Sequence, residues 1–212
     1  MASLNYRNNS LPIENELVAV FPIENNVFFP HTLIPLHIFE PRYRRMINDV
    51  IQGDYNKFVL TGFSDHQPMS LGVLVEIVQY EELEDNRSNL LIQTLERVKI
   101  EDYFRPYSPD DYAIAEIQII PEVKIVENKW LELRSKLYRE FKIYIEALTG
   151  RKFNIPEDKL EILLTPEESI NSACYYTNFS VDLKKKLLKQ DTMESRGDLL
   201  LSILSQLNQT SN

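Results

Sequence analysis

Nucleotide chemistry needs glycine where backbone N–H groups wrap a phosphate, and this 212-residue chain has only five glycines. A Walker-A loop puts a second glycine five residues after the first. Here Phe58, Gln67, Ile77, Ile155 and Ser202 follow Gly53, Gly62, Gly72, Gly150 and Gly197 at that distance. No glycine pair has the dinucleotide-binding spacing either. The three histidines, His31, His37 and His66, lack a second ligand at i+3 or i+4 on a credible helix, which speaks against a metal site. His37 lies inside an apolar run and reads as a packed, hydrogen-bonded strand residue. The single cysteine, Cys174, rules out an intramolecular disulfide and a thiolate zinc cage. With Tyr175 and Tyr176 beside it on a predicted helix, it reads as a buried thiol rather than a nucleophile. No serine sits in a nucleophile elbow. Paired carboxylates are plentiful in an acidic chain and carry little information. Glu40, just before Pro41 at a predicted helix start, reads as a dipole partner or as an ion pair with Arg42 or Arg44. Lys184, Lys185, Lys186 and Lys189 read as a solvated helix face.

The elements that position these residues change character midway. Leu17-Val18-Ala19-Val20-Phe21 is a short apolar run that stops at Pro22 and reads as a buried strand. A second run, Leu33 to Phe39, contains Pro35, which cannot donate to a ladder and marks an edge or bulge. Pro41 suits the first position of a helix, and Tyr43, Met46, Ile47, Val50 and Ile51 make one apolar stripe along it. Strand signals return at 58–60, 71–80, 90–100 and 112–120. The acidic stretch Glu81 to Asn86 reads as a solvated hairpin loop. After Pro121 the period becomes helical: Trp130, Leu133, Leu137, Phe141, Tyr144 and Leu148 share a face. Gly150 ends that helix. Thr165-Pro166-Glu167-Glu168 is a capping box, Ser180 caps a helix through Leu188, and a last helix runs from about Thr192 to Leu207.

The charge follows the same division. Net charge is −9. Residues 1–127 carry ten Lys and Arg against twenty Asp and Glu, net −10, and residues 128–212 carry thirteen against twelve, net +1. A β-rich half of that sign repels nucleic acid and anionic membrane. Residues 1–15 show no apolar core of a signal peptide, and no stretch approaches the length of a membrane span. The expected location is the cytoplasm. The domain reading is a flexible N-terminus over 1–15, a β-rich lobe over 16–122 and a helical lobe over 123–212.

One segment is more specific than pattern. Phe21-Pro22-Ile23 is followed by Val27-Phe28-Phe29-Pro30, then by Leu33-Ile34-Pro35-Leu36-His37-Ile38-Phe39-Glu40-Pro41-Arg42-Tyr43, then by Met46. This resembles the N-terminal, substrate-binding domain of the Lon proteases, clearly over about residues 16–122 and more weakly in the helices beyond. Phe21, Pro22, Pro30, Pro35, Phe39, Glu40, Pro41, Arg42 and Tyr43 carry the motif as structural positions. The chain departs from the family pattern at His31 and Thr94, where glycine is common, and at Val73, where threonine is frequent. Each departure concerns a turn or a bulge.

The resemblance implies an α+β fold: a PUA-like β pseudo-barrel with one helix, followed by a C-terminal α-helical bundle. It implies a non-enzymatic module that binds unfolded or exposed polypeptide segments, as an adaptor or weak holdase, with no cofactor or metal. A protease or another protein is a possible partner. With no P-loop and no Ser-Lys peptidase segment, neither ATP hydrolysis nor peptide cleavage is expected. The runner-up reading is RNA binding, which rests on fold analogy alone, or a dedicated protein-partner interaction module. Candidate groove residues are Phe28, Phe29, Leu33, Tyr103, Phe104 and Tyr107. Phe29 and Leu33 compete with a core role. Tyr103, Phe104 and Tyr107 flank Arg105 and Pro106 in a predicted turn and are open to either role.

Overall fold

The computed structural model of the protein describes residues 17–53, 56–64, 67–105, 107–108, 110–152 and 165–210. Residues 1–15, read from sequence as a loose tail, lie outside these, as do His66 and Pro106. The chain divides into two compact units after Pro121.

The first unit holds β1 (Leu17–Glu24), β2 (Leu33–Ile38), α1 (Pro41–Gln52), β3 (Lys57–Ser64), β4 (Gln67–Glu82), β5 (Ser88–Phe104) and β6 (Ala113–Ile120). Five strands close on themselves. β1 pairs parallel with β3, and β3–β4, β4–β5, β5–β6 and β6–β1 are antiparallel. β5 is long enough to serve two partners on one side. Its first half, Ser88 to Gln93, pairs with β2, and from Arg97 onward it pairs with β6. β2 is therefore an added strand beside the ring, and Pro35 sits where a missing N–H is tolerated. The ring is filled by Val18, Val20, Val59, Leu74, Val98, Ile100, Ala113, Ala115 and Ile117. The valines and isoleucines favour the strand, and the whole set supplies the apolar burial that holds the ring closed.

α1 follows its stripe, burying Tyr43, Met46 and Ile47. Glu40 makes no side-chain cap. Its carboxylate instead takes the Arg42 guanidinium at 2.8 Å, one of the two roles read from sequence.

The connection from β1 to β2 is buried, with Val27, Phe28, Phe29, Pro30 and Thr32 all inside. A buried loop must find partners for its backbone, and Thr94 of β5 supplies them. Its Oγ1 accepts from the Thr32 N–H at 2.7 Å and lies 2.8 Å from the Phe29 carbonyl oxygen. The Thr94 backbone adds two more bonds, accepting from His31 N–H at 3.0 Å and donating to Thr32 O at 2.9 Å. His31 itself has φ 57°, in the left-handed region where glycine is at ease. His31 adopts the conformation at a steric cost.

The second unit holds four helices among the described residues: α2 (Glu127–Thr149), α3 (Pro166–Tyr176), α4 (Val181–Leu188) and α5 (Met193–Thr210). α2 ends at Gly150, whose φ of 65° closes the helix with a bond to Glu146 O. α3 starts on the reciprocal Thr165–Glu168 capping box, and Ser180 caps α4 by accepting from Leu183 N–H. α2 buries Leu133 and Leu137, while Leu148 at its end is exposed. α5 approaches α2 at Gly197, where any Cβ would fall 2.5 Å from Leu133 Cδ2.

At the centre of this unit Arg196 is fully buried. Its guanidinium pairs with Glu122 at 2.5 Å and donates to Asn171 Oδ1 at 2.6 Å and Leu187 O at 3.2 Å. One arginine thereby ties the chain entering the unit to α3 and to the end of α4. Val123 pairs with Thr192 next to it, and Met193 N–H donates to Val123 O. A buried cation that finds a carboxylate and several oxygens can be kept in a core; an unpaired one cannot.

Candidate functional site

The six groove candidates fall in three places. Phe28 and Phe29 are 2% and 0% exposed, so they belong to the core and present no surface. The reason is the Thr94 anchor, which folds their loop inward. Leu33, the first residue of β2, is 48% exposed. Tyr103 packs half-buried against the ring core, Phe104 ends β5 exposed, and Tyr107 is fully exposed.

Tyr103 belongs to an aromatic cluster. Its hydroxyl is held above the ordinary range by burial, with Arg105 and Arg42 drawing it back. Tyr43 is pushed up to about 12, chiefly by burial, and feels both Arg42 and Tyr103. The Phe21 ring stands 4.2 Å from that of Tyr43, and Arg42 stacks over Tyr43 at 4.5 Å. Motif positions Phe21, Arg42 and Tyr43 thus pack on one another, with the Tyr43 ring buried between the other two and close enough to Tyr103 to feel it. α1 is tied to the segment before β6 by Arg45–Asp111 at 2.6 Å and by the Tyr112 hydroxyl, which donates to Asp49 at 2.8 Å.

A second surface lies on the outer face of β2, β5 and β4. The registers place Leu33, Gln93 and Glu76 in one row, Pro35, Leu91 and Gln79 in the next, and His37, Asn89 and Glu81 in the third. The last row is hydrogen-bonded across all three strands. His37 Nδ1 lies 2.8 Å from Asn89 Oδ1, and Asn89 Nδ2 donates to Glu81 at 3.0 Å. The network assigns the proton to Nδ1 and leaves Nε2 facing Arg87 at 3.4 Å. His37 is therefore hydrogen-bonded on a strand, as the sequence implies, but it is exposed rather than packed. Phe39 stacks on it at 6.3 Å between ring centres and is 60% exposed. Sequence reasoning placed Phe39 among the structural motif positions and missed it as a surface residue. The signal was available, because Phe39 has the parity of Leu33, Pro35 and His37, the outward-facing set of β2.

Cys174 is buried, and burial pushes its thiol up to about 12, so it stays protonated at neutral pH. Of the lysine run, Lys184 departs from a solvated face. It is partly buried, its ammonium donates to Tyr175 O at 2.6 Å, and burial draws its pKa down. Among the described residues no cluster of three His, Cys, Asp or Glu side chains is arranged to hold a metal, and no helix is long and apolar enough to cross a membrane.

The chain and its fold have relatives. The Lon protease 2 of Sorangium cellulosum (strain So ce56) is 24% identical over 203 residues, covering 88% of this chain and 24% of that protein. The Lon protease 1 of Herpetosiphon aurantiacus is 24% identical over 223 residues, covering 95% of this chain and 26% of that protein. The chain thus spans about a quarter of the length of the curated relatives it matches. Among solved structures, the N-terminal domain of the Mycobacterium avium complex Lon protease superposes with a TM-score of 0.63 at 16% identity, covering 90% of this chain and 98% of that one. A Lon N-terminal domain protein from Xanthomonas campestris gives 0.65 at 17%, covering 88% and 98%. The model of the ATP-dependent protease La (LON) substrate-binding domain matches residues 18–206, the length of both units, and the chain belongs to that family.

Proposed function

We propose that this chain is a non-catalytic recognition module that binds exposed or unfolded segments of other proteins. The observation that carries the reading is the substrate-binding-domain match over residues 18–206. The surface chemistry is compatible with it: Leu33, Phe39, Phe104 and Tyr107 offer apolar contact in the β-rich unit, and none needs to titrate. In this reading the β-rich lobe, residues 16–122, does the recognising, and the helical lobe, residues 123–212, accompanies it. Its role is that of an adaptor handing bound protein to a protease or another partner in the cytoplasm. The acid balance of the β-rich half disfavours the RNA alternative.

The test is fluorescence anisotropy with a permanently unfolded polypeptide and its folded counterpart, with RNA as a third titrant. Selective binding of the unfolded form is the expected result. Binding of RNA at physiological salt, or of neither polypeptide, would overturn the reading.

A further inference from the structure

The outer face of β2, β5 and β4 is asymmetric. Along β2 it is apolar, with Leu33, Pro35 and Phe39 exposed and Leu91 of β5 beside them. Along β4 it is acidic, with Glu76 and Glu81 two strands away from that apolar edge. Strand spacing sets the two rails about 10 Å apart. The β4–β5 turn adds Glu82, Glu84 and Asp85 at one end. The cations near that end are already engaged. Arg87 pairs with Asp85 at 2.5 Å, and Arg44 donates to the turn carbonyls of Asp85 and Asn86. Lys57, opposite Glu76 on β3, is a buried residue, 8% exposed. Lys57 offsets part of the charge of Glu76, and the face presents apolar surface on one side and an excess of carboxylates over cations on the other.

Strand addition is not the mode this geometry favours. Pro35 stands in the middle of β2 and removes a donor from any new ladder. Docking on the face has no such obstacle. An extended segment lying over β5 turns successive side chains to opposite sides. One set falls on the β2 rail and the other on the β4 rail.

Resting on the polypeptide-binding reading above, we infer that this face selects extended segments in which apolar residues alternate with Lys or Arg. The apolar set packs on Leu33, Pro35, Phe39 and Leu91, and the basic set reaches Glu76 and Glu81.

The test uses the full chain and three labelled, unstructured twelve-residue peptides of equal apolar content. Their alternate positions are filled with Lys, Ser or Glu. Anisotropy at low salt is expected to rank Lys over Ser over Glu, with about a tenfold advantage of Lys over Ser, the size that two exposed ion pairs supply. The advantage shrinks as salt screens it. E76K/E81K reverses the ranking, and E76Q/E81Q, which keeps the side-chain shape, reduces it to within about threefold. F39S weakens all three peptides alike. Thermal melts confirm that each variant is folded. Equal binding of all three peptides, or an unchanged ranking in E76Q/E81Q, overturns this inference and leaves the polypeptide-binding reading standing. Failure to bind any peptide, together with failure on the unfolded polypeptide, overturns both.

Discussion

Thr94→Val isolates the device that turns Phe28 and Phe29 into core. Valine has nearly the shape of threonine and lacks the hydroxyl. Thr94 is fully buried, so water cannot replace what is lost. The Thr32 N–H, which donates to Thr94 Oγ1 at 2.7 Å, would be orphaned. The Phe29 carbonyl would not, because Thr32 Oγ1 also reaches it at 3.1 Å. One buried donor left unsatisfied costs about 1–3 kcal/mol, so the expected loss is about 2 kcal/mol. Thr94→Ser keeps the hydroxyl and loses a methyl group, worth about 1 kcal/mol. The single tryptophan, Trp130, lies on α2, so its fluorescence reports the helical unit and not this one. Native-state hydrogen exchange of peptides from β5 and the 27–32 loop is the suitable assay. A loss of about 2 kcal/mol appears as roughly 30-fold faster exchange of the protected β5 amides. Exchange within twofold of wild type in T94V, or equal acceleration in T94V and T94S, would refute the claim that the hydroxyl anchors the loop.

Two further perturbations address the helical unit. Arg196→Ala removes the buried cation that pairs with the Glu122 carboxylate, which is 6% exposed, and that donates to Asn171; a loss of about 3–5 kcal/mol is expected in urea unfolding followed by Trp130 fluorescence, and a loss under 1 kcal/mol would contradict the central role of the arginine. Cys174 gives a pH test. Its folded pKa, about 12, lies above the ordinary 9.0, so the folded state binds more protons between those values and stability falls as pH rises through that window. Stability falls between pH 8 and pH 10 by on the order of 1 kcal/mol through this thiol, and C174A should flatten the pH slope in paired urea titrations. An identical slope in both proteins would show that the thiol ionises freely when folded.

The aromatic pair on the β1–β2 connection and the aromatic end of β2 show where sequence reading stops. Phe28 and Phe29 stand between prolines in what reads as a loop, and loop aromatics are natural surface candidates. Their burial depends on a hydroxyl 65 residues away for Phe29, a contact that local pattern does not contain. Phe39 shows the converse. It ends an apolar run beside a helix start and carries the motif as a structural position, and its parity with Leu33 turns it outward once β2 is placed against β5.

What the sequence determined by itself is local. The α1 stripe, the Thr165 and Ser180 caps, the Gly150 stop, the acidic turn and the change to helical period after Pro121 all follow from spacing and short-range hydrogen bonds. The Phe-Pro and Glu-Pro-Arg-Tyr segments identified the family, because a rare combination of residue types over a fixed spacing carries information that composition lacks. The tertiary structure alone decided which strand pairs with which, how β5 divides itself between β2 and β6, and that Arg196 is a core residue. It also decided which side of β2 meets the core and so which residues line the acidic and apolar rails. These depend on contacts between distant residues, where one step of register moves a side chain from core to surface.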